Sequence, residues 1–243
     1  MDNNNLIINL IDISFGYPGS TQAVDELNFK FYKGNRMGLL GPNGSGKTTL
    51  FHIIMGLLKP SDGHIEIFGR PCVKEKDFRR IRRRIGLLFQ DADDQLFSPT
   101  VIEDVAFGPL NLGKSRDEAM DIARKTLQHI GLTGFEDRIT YKLSGGEKRL
   151  VSLATILSME PEILLLDEPT AGLDDQTKAR LNNILSGLDI SYIVISHELD
   201  FLAGITNYIY TMEKGKIFLD DGAHIHQHAH AHPHGLSSHK HKP

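Results

Sequence analysis

A lone cysteine, Cys72, rules out a disulfide framework and suits a reducing compartment such as the cytosol. Long apolar runs are missing. None approaches the roughly 18 residues that a membrane-spanning helix needs, so any work at a membrane is expected to go through a partner. The start, MDNNN, lacks a basic region followed by an apolar one, and no secretory leader is expected. Excess positive charge is missing as well: the formal net charge is −4, which speaks against dependence on a nucleic-acid backbone. The one basic run, RRIRRR from Arg79 to Arg84, then reads as a solvated edge or a local contact. What remains is ordinary globular material, 243 residues with 40% hydrophobic and 24% charged side chains. That is enough for one compact unit, or a core with a subdomain.

Pattern divides the chain. LIINLIDISFGY and ELNFKFY alternate as strands do, RMGLL is a short buried strand, and HIEIFG and RIGLLFQ read as further strands. From about Asp91 to Glu160 the periodicity turns helical, in SRDEAMDIARKTLQHI and GGEKRLVSLATILSM. EILLLDEP and SYIVIS return to strand length, with helix-like QTKARLNNILSGL between them. Strands alternating with helices predict an α/β fold with a parallel sheet covered by helices. After Gly222 the composition shifts to His, Ala, Pro, Ser and Lys. Residues 1–222 are therefore expected to form the folded domain and 223–243 a disordered tail.

GPNGSGKT, Gly41 to Thr48, fits G-x-x-x-x-G-K-[ST] and lies between a strand and a helix. Its glycines, Gly41, Gly44 and Gly46, let the main chain through Pro42, Asn43 and Ser45 curl its N–H groups around phosphate. The following helix N-terminus adds positive potential. Lys47 is placed to reach the β- and γ-phosphates and Thr48 to ligate Mg²⁺, with Thr49 completing the nucleotide-binding set. ILLLDEP supplies the acids: Asp167 for the Mg²⁺ shell and Glu168 to orient and polarise the attacking water. A glycine-rich turn or a strand terminus would account for either stretch alone. The two together point to a nucleotide site.

On these residues and those that follow, the chain resembles the ATP-binding subunits of ABC transporters. LSGGEKR, Leu143 to Arg149, resembles the family signature, and Gln90, ending IGLLFQ, the Q-loop glutamine. AGLD, Ala171 to Asp174, resembles the D-loop, His197 in IVISHELD the switch histidine, and Tyr17 in FGYPG the aromatic that stacks on adenine. The resemblance runs from about Leu6 to Gly222. It implies a P-loop NTPase (RecA-like) core with an antiparallel β subdomain and an ABC α-helical subdomain at about 91–160. It also implies ATP and Mg²⁺, catalytic roles for Glu168, His197 and Gln90, and a Mg²⁺ shell from Thr48, Gln90 and Asp167. Ser144, Gly145, Gly146 and Glu147 would meet the nucleotide across an interface with a second ATP-binding subunit, most simply a second copy. Ser144 also reads as a plain helix cap, and Tyr17 as plain packing in the N-terminal sheet.

The stretch FQDADDQLFSPTVIEDVAFGPLNLG, Phe89 to Gly113, is similar to energy-coupling-factor importers, and within them to the cobalt and nickel (CbiO- and NikO-like) branch. That implies a membrane coupling protein docked near Asp91, Asp93 and Asp94, a substrate-binding membrane subunit, and a peripheral place on the cytoplasmic face of the cell membrane. Many relatives end in a folded extension that aids dimerisation. Here eight of the 12 histidines fall after Gly222, with His224, His226, His228, His230, His232 and His234 on alternate positions. Imidazole suits Ni²⁺ and Co²⁺, so the tail is a candidate ligand cluster for the transported ion, with a solubilising low-complexity segment as the bland reading. Other functions fit less well. A shared motor serving vitamin-binding subunits remains open. A soluble ABC ATPase of translation or DNA repair would carry tandem units or long coiled-coil insertions. A nickel store would not need a complete catalytic set.

Overall fold

The computed structural model describes residues 5–19 and 21–219, so the histidine segment lies outside the described residues. Numbered along the chain, β1 (Leu6–Gly16), β2 (Gln22–Tyr32), β4 (Asp62–Ile67) and β5 (Arg70–Pro71) form an antiparallel sheet in the order β2-β1-β4-β5. A six-stranded sheet has the order β10 (Lys216–Leu219), β9 (Tyr208–Glu213), β3 (Arg36–Leu40), β8 (Ser191–Ile195), β7 (Ile163–Asp167), β6 (Ile85–Leu88). Its strands run parallel except β10, which returns beside β9. Lys214 and Gly215 turn that hairpin with positive φ, as a two-residue primed turn requires. The periodicity argument does not reach this hairpin.

Why the sheet is buried on both faces can be read along single strands. On β7, Ile163 and Leu165 point into one core while Leu164 and Leu166 point into another. On β8, Ile193 and Ile195 face the first core and Tyr192 and Val194 the second. Period-two alternation thus splits one apolar run between two layers. The first core lies under β1 and β2 with α1 (Lys47–Ile54), through Ile8, Phe31, Leu50 and Phe51. The second lies under α3 (Val101–Asn111), α4 (Arg116–His129), α5 (Gly145–Leu157), α6 (Asp175–Gly187) and α7 (Leu199–Ile205). Each fully buried leucine contributes roughly 1.5–3 kcal/mol to this packing.

Three helices between β6 and β7, α3 to α5, begin with the same device. Thr100 with Glu103, Ser115 with Glu118, and Ser144 with Glu147 form reciprocal capping boxes. The basic run is both solvated edge and local contact: Arg79, Arg80 and Arg83 are exposed, while its later arginines are tied to the molecule. It begins in α2 (Glu75–Ile81). Arg82 donates to the carbonyls of Met55 and Gly56 beyond the end of α1, and to Glu75. Arg84 forks onto Glu162 and stacks on Phe68 at 3.5 Å, and Arg83 donates to Leu112 O. Among the described residues no helix is long and apolar enough to cross a membrane.

Candidate active site

The loop between β3 and α1 is held by main chain on both sides. A Cβ on Gly46 would lie 2.1 Å from Ala23 O, where the start of β2 presses in, and Gly46 sits at φ 106°. A Cβ on Gly41 would meet Met212 O of β9 at 2.2 Å. No larger residue fits either position without moving a neighbouring strand. Gly215 N donates to Ser45 O, so the β9–β10 turn grips the loop as well. Pro42, Asn43 and Gly44 stay exposed at its crest. The first turn of α1 has no side-chain cap and no acid, which leaves its N-terminal field open toward an anion.

Lys47 is buried and folds back on this loop, donating to Gly41 O at 2.8 Å and Pro42 O at 3.0 Å. Burial lowers its pKa, and the carboxylates of Glu168 and Asp167 pull it back up. Those two acids arrive from β7. Parallel pairing with β8 sets Asp167 beside Ile195, and Glu168 N donates to Ile195 O. That register brings the residues just past both strands together: His197 Nε2 lies 3.1 Å from Glu168 Oε1. Glu168 holds φ 45°, an uncommon backbone state that costs of order 1–3 kcal/mol and is typical of functional positions. Burial raises the pKa of the Glu168 carboxyl; His197 opposes that shift and Asp167 adds to it.

Asp167 suits a Mg²⁺ ion. It is buried, and its Oδ1 has no hydrogen-bond partner. Burial pushes its pKa up, with the Thr48 hydroxyl working against that shift. Thr48, Gln90 and Asp167 line one cleft of about 900 Å³. Among the described residues no cluster of three His, Cys, Asp or Glu stands ready for a metal. A single carboxylate with a hydroxyl and an amide is instead the sparse oxygen set that Mg²⁺ completes with phosphate and water. When bound there, the ion supplies charge neutralisation on the phosphates.

The remaining sequence candidates sit elsewhere. Tyr17 is 44% exposed, edge-on to Phe15, with its hydroxyl 3.2 Å from Thr49 Oγ1 at the start of α1. It therefore flanks the phosphate loop and also packs in the first sheet. Ser144 is a helix cap: its Oγ accepts from Glu147 N and Glu147 Oε2 accepts from Ser144 N, while Arg138 holds the other Glu147 oxygen. Gly145 borders the cleft, but Ser144, Gly146 and Glu147 do not line it. A Cβ on Gly146 would meet the Thr177 side chain of α6 at 3.1 Å.

Arg149 ends the LSGGEKR stretch without a role of its own in the sequence reading, yet it is 5% exposed and donates to Phe89 O and Gln90 O. It fastens α5 to the main chain of the Q-loop. Gln95 adds a second fastening, accepting from Phe89 N and donating to Ser152 O and Thr155 Oγ1 of α5. Lys148 adds a third, paired with Asp93 at 2.5 Å. These partners are mostly main-chain atoms distant in sequence, and no motif announces them.

What the loop after β3 can hold, and what the ends of β7 and β8 can do to it, together define an ATP-hydrolysing cassette. The chain belongs to the ABC transporter family, which it matches over residues 24–171. It is 51% identical over 212 residues to a protein of Nitratidesulfovibrio vulgaris described as an ABC transporter ATP-binding protein, covering 87% of this chain and 78% of that one. It is 42% identical over 218 residues to the energy-coupling factor transporter ATP-binding protein EcfA of Methanothermobacter thermautotrophicus, covering 88% and 70%. Among solved structures it is similar to CbiO1 of Clostridium perfringens, part of the ABC transporter complex CbiONQ, with TM-score 0.79, 34% identity and 88% of both chains covered. A dimeric ATP-binding cassette with ADP and Pi, in a post-hydrolysis state, also superposes at TM-score 0.79, with 25% identity over 87% of this chain and 96% of that one.

Proposed function

We propose that this chain is the ATPase of an energy-coupling-factor importer for nickel or cobalt ions, working as a homodimer against the cytoplasmic face of the membrane. The resemblance of Phe89 to Gly113 to the cobalt and nickel branch, beside the similarity to CbiO1 over 88% of both chains, supports this choice of ion. Similarity to EcfA, an energy-coupling factor transporter ATP-binding protein, is equally consistent with the second reading, a shared motor for vitamin-binding subunits. The partners proposed are a membrane coupling protein and a substrate-binding membrane subunit. Purifying the membrane complex and measuring uptake of radioactive nickel, cobalt and vitamins into vesicles separates the two readings. ATP-driven uptake of a vitamin and of neither metal would remove the nickel–cobalt reading.

In the proposed site, the Gly41–Thr49 loop and the α1 N-terminus cradle the phosphates, and Lys47 swings from the Gly41 and Pro42 carbonyls to the β- and γ-phosphates. Thr48, Asp167 and Gln90 hold Mg²⁺. Glu168 orients the attacking water, with His197 beside it at the γ-phosphate. Tyr17 stacks on the adenine. Ser144, Gly145, Gly146 and Glu147 come from the second copy, which accounts for a signature that caps its own helix and yet leaves Ser144 and Gly145 exposed. The domain is assigned to residues 1–222 and the tail to 223–243. His224 through His234 would bind the delivered ion weakly and interchangeably. Titrating Ni²⁺ calorimetrically into the full chain and a form ending at Gly222 tests the tail: the short form should lose most nickel sites and keep its ATPase. Equal stoichiometry in both would remove the tail as a metal site.

A further inference from the structure

Asp104 is a buried carboxylate outside the nucleotide site. It is 2% exposed, on the first turn of α3, and makes no ion pair among the described residues. Burying an unpaired charge is costly unless hydrogen bonds hold it. Three do. Oδ1 accepts from Phe97 N at 3.1 Å and Ser98 N at 2.9 Å, and Oδ2 accepts from Thr140 Oγ1 at 3.2 Å.

These donors come from two different segments. Phe97 is 66% exposed and meets Phe107 edge-to-face at 4.7 Å, on the outer surface of the helical layer. Thr140 is buried and opens the short turn Thr140–Lys142 that delivers Leu143 and then Ser144, the cap of α5. The two segments are zipped further by main chain. Thr140 N donates to Pro99 O, Val101 N to Arg138 O and Ile102 N to Glu136 O. Arg138 then pairs with Glu147 inside the signature. A path of direct bonds therefore runs from the exposed Phe97 loop, through Asp104 and Thr140, to the N-terminus of α5.

We propose that Asp104 is a positioning residue for ATP hydrolysis, joining the surface loop at Phe97 and the signature at Ser144 into one rigid body through Thr140. The proposal rests on reading Ser144 to Gly146 as the part that meets ATP bound to the second copy. A signature free to shift by about an ångström would still leave nucleotide bound at the first copy but would lose reactive geometry, at a cost of up to roughly 100-fold in rate.

The test uses the full-length chain. Thr140→Val keeps the side-chain shape and removes only the hydroxyl link. Asp104→Leu removes all three bonds. Asp104→Asn retains them, since its oxygen accepts both amides and its nitrogen donates to the Thr140 hydroxyl. We expect Thr140→Val and Asp104→Leu to lower kcat roughly 10- to 100-fold with KM for ATP within about twofold, and Asp104→Asn to restore kcat. Amide hydrogen exchange at residues 144–147 should quicken in Thr140→Val. Wild-type kcat in Thr140→Val overturns the proposal. So does a loss of activity that only follows the fraction unfolded, or that Asp104→Asn fails to rescue. Ser144→Arg serves as control: if it hydrolyses ATP normally, the signature reading itself fails. If Ser144→Arg is inactive while Thr140→Val is normal, only the positioning role fails.

Discussion

Two helix N-termini, those of α1 and α5, are given to nucleotide chemistry in the proposed function and are built in opposite ways. The α1 terminus has no side-chain cap, and its geometry is imposed by neighbouring main chain that leaves no space for a Cβ on Gly41 or Gly46. The α5 terminus is capped by its own Ser144 and Glu147, and held in place by Arg138, Arg149 and Lys148. The first is an open anion site within one chain. The second has met part of its own hydrogen-bonding need and, in the function proposed above, would meet phosphate brought by a second copy. One terminus is fixed by shape and the other by side-chain ties, so substitutions should separate them.

The largest expected effect lies between the two. Glu168→Gln should keep ATP binding and lower turnover by on the order of 10²–10⁴, since a carboxylate that organises the attacking water is lost. Measured single-turnover hydrolysis near the wild-type rate would move the catalytic role elsewhere. Lys47→Ala strikes the α1 side directly. Loss of a charge-assisted contact worth about 1.5–3 kcal/mol should weaken ATP binding roughly 10- to 100-fold, read by fluorescent-nucleotide titration. Unchanged affinity would mean that Lys47 stays on the Gly41 and Pro42 carbonyls when nucleotide binds.

Ser144→Ala strikes the α5 side. Its stability cost should be about 1 kcal/mol from the lost cap, seen in denaturant melts, while ATP affinity of the isolated chain holds. An affinity loss without dimerisation would show the signature touching nucleotide in its own chain.

A smaller effect concerns pH. Burial raises the pKa of the Asp167 carboxyl, so the folded chain holds that proton more tightly than the unfolded chain does. The resulting stabilisation is present at acid pH and is lost as pH rises through the folded value. Without nucleotide or metal, Asp167→Asn should therefore gain stability over the wild type as pH goes from the carboxylate range toward neutrality. A melting difference independent of pH would remove this argument.

Smallest is the acidic loop. Asp93 already pairs with Lys148, a surface pair worth about 0–1 kcal/mol, whereas Asp94 has no ion pair among the described residues. Asp94→Lys should weaken copurification with membrane subunits and leave ATP binding alone. Asp93→Lys additionally frees Lys148. Equal copurification of both variants and wild type would return the loop to solvent.

The same contrast explains what could be read from the residues alone. GPNGSGKT and ILLLDEP are legible because backbone crowding at Gly41 and Gly46 and strand register at Asp167 and Glu168 restrict the residue types there. The S/T-x-x-E starts of α3, α4 and α5 are legible for a similar local reason. Arg149, Gln95 and Asp104 escape because most of what they hold is main-chain carbonyl and amide groups, which nearly any residue type supplies. RRIRRR is legible only in part. Charge pattern suggests a solvated edge or a local contact, and Arg79, Arg80 and Arg83 are exposed, but which helix ends and acids Arg82, Arg83 and Arg84 hold is not written in it. The β9–β10 hairpin, whose turn grips the phosphate loop through Ser45, is carried by no motif.

In the proposed dimer, ATP joins the open terminus of one copy to the capped terminus of another. Light scattering on Glu168→Gln, with and without saturating Mg-ATP, measures this most directly. The expected result is the mass of a single chain without nucleotide and twice that mass with ATP, with the doubling lost in Ser144→Arg. A mass unmoved by ATP in a protein shown to bind it would contradict the claim.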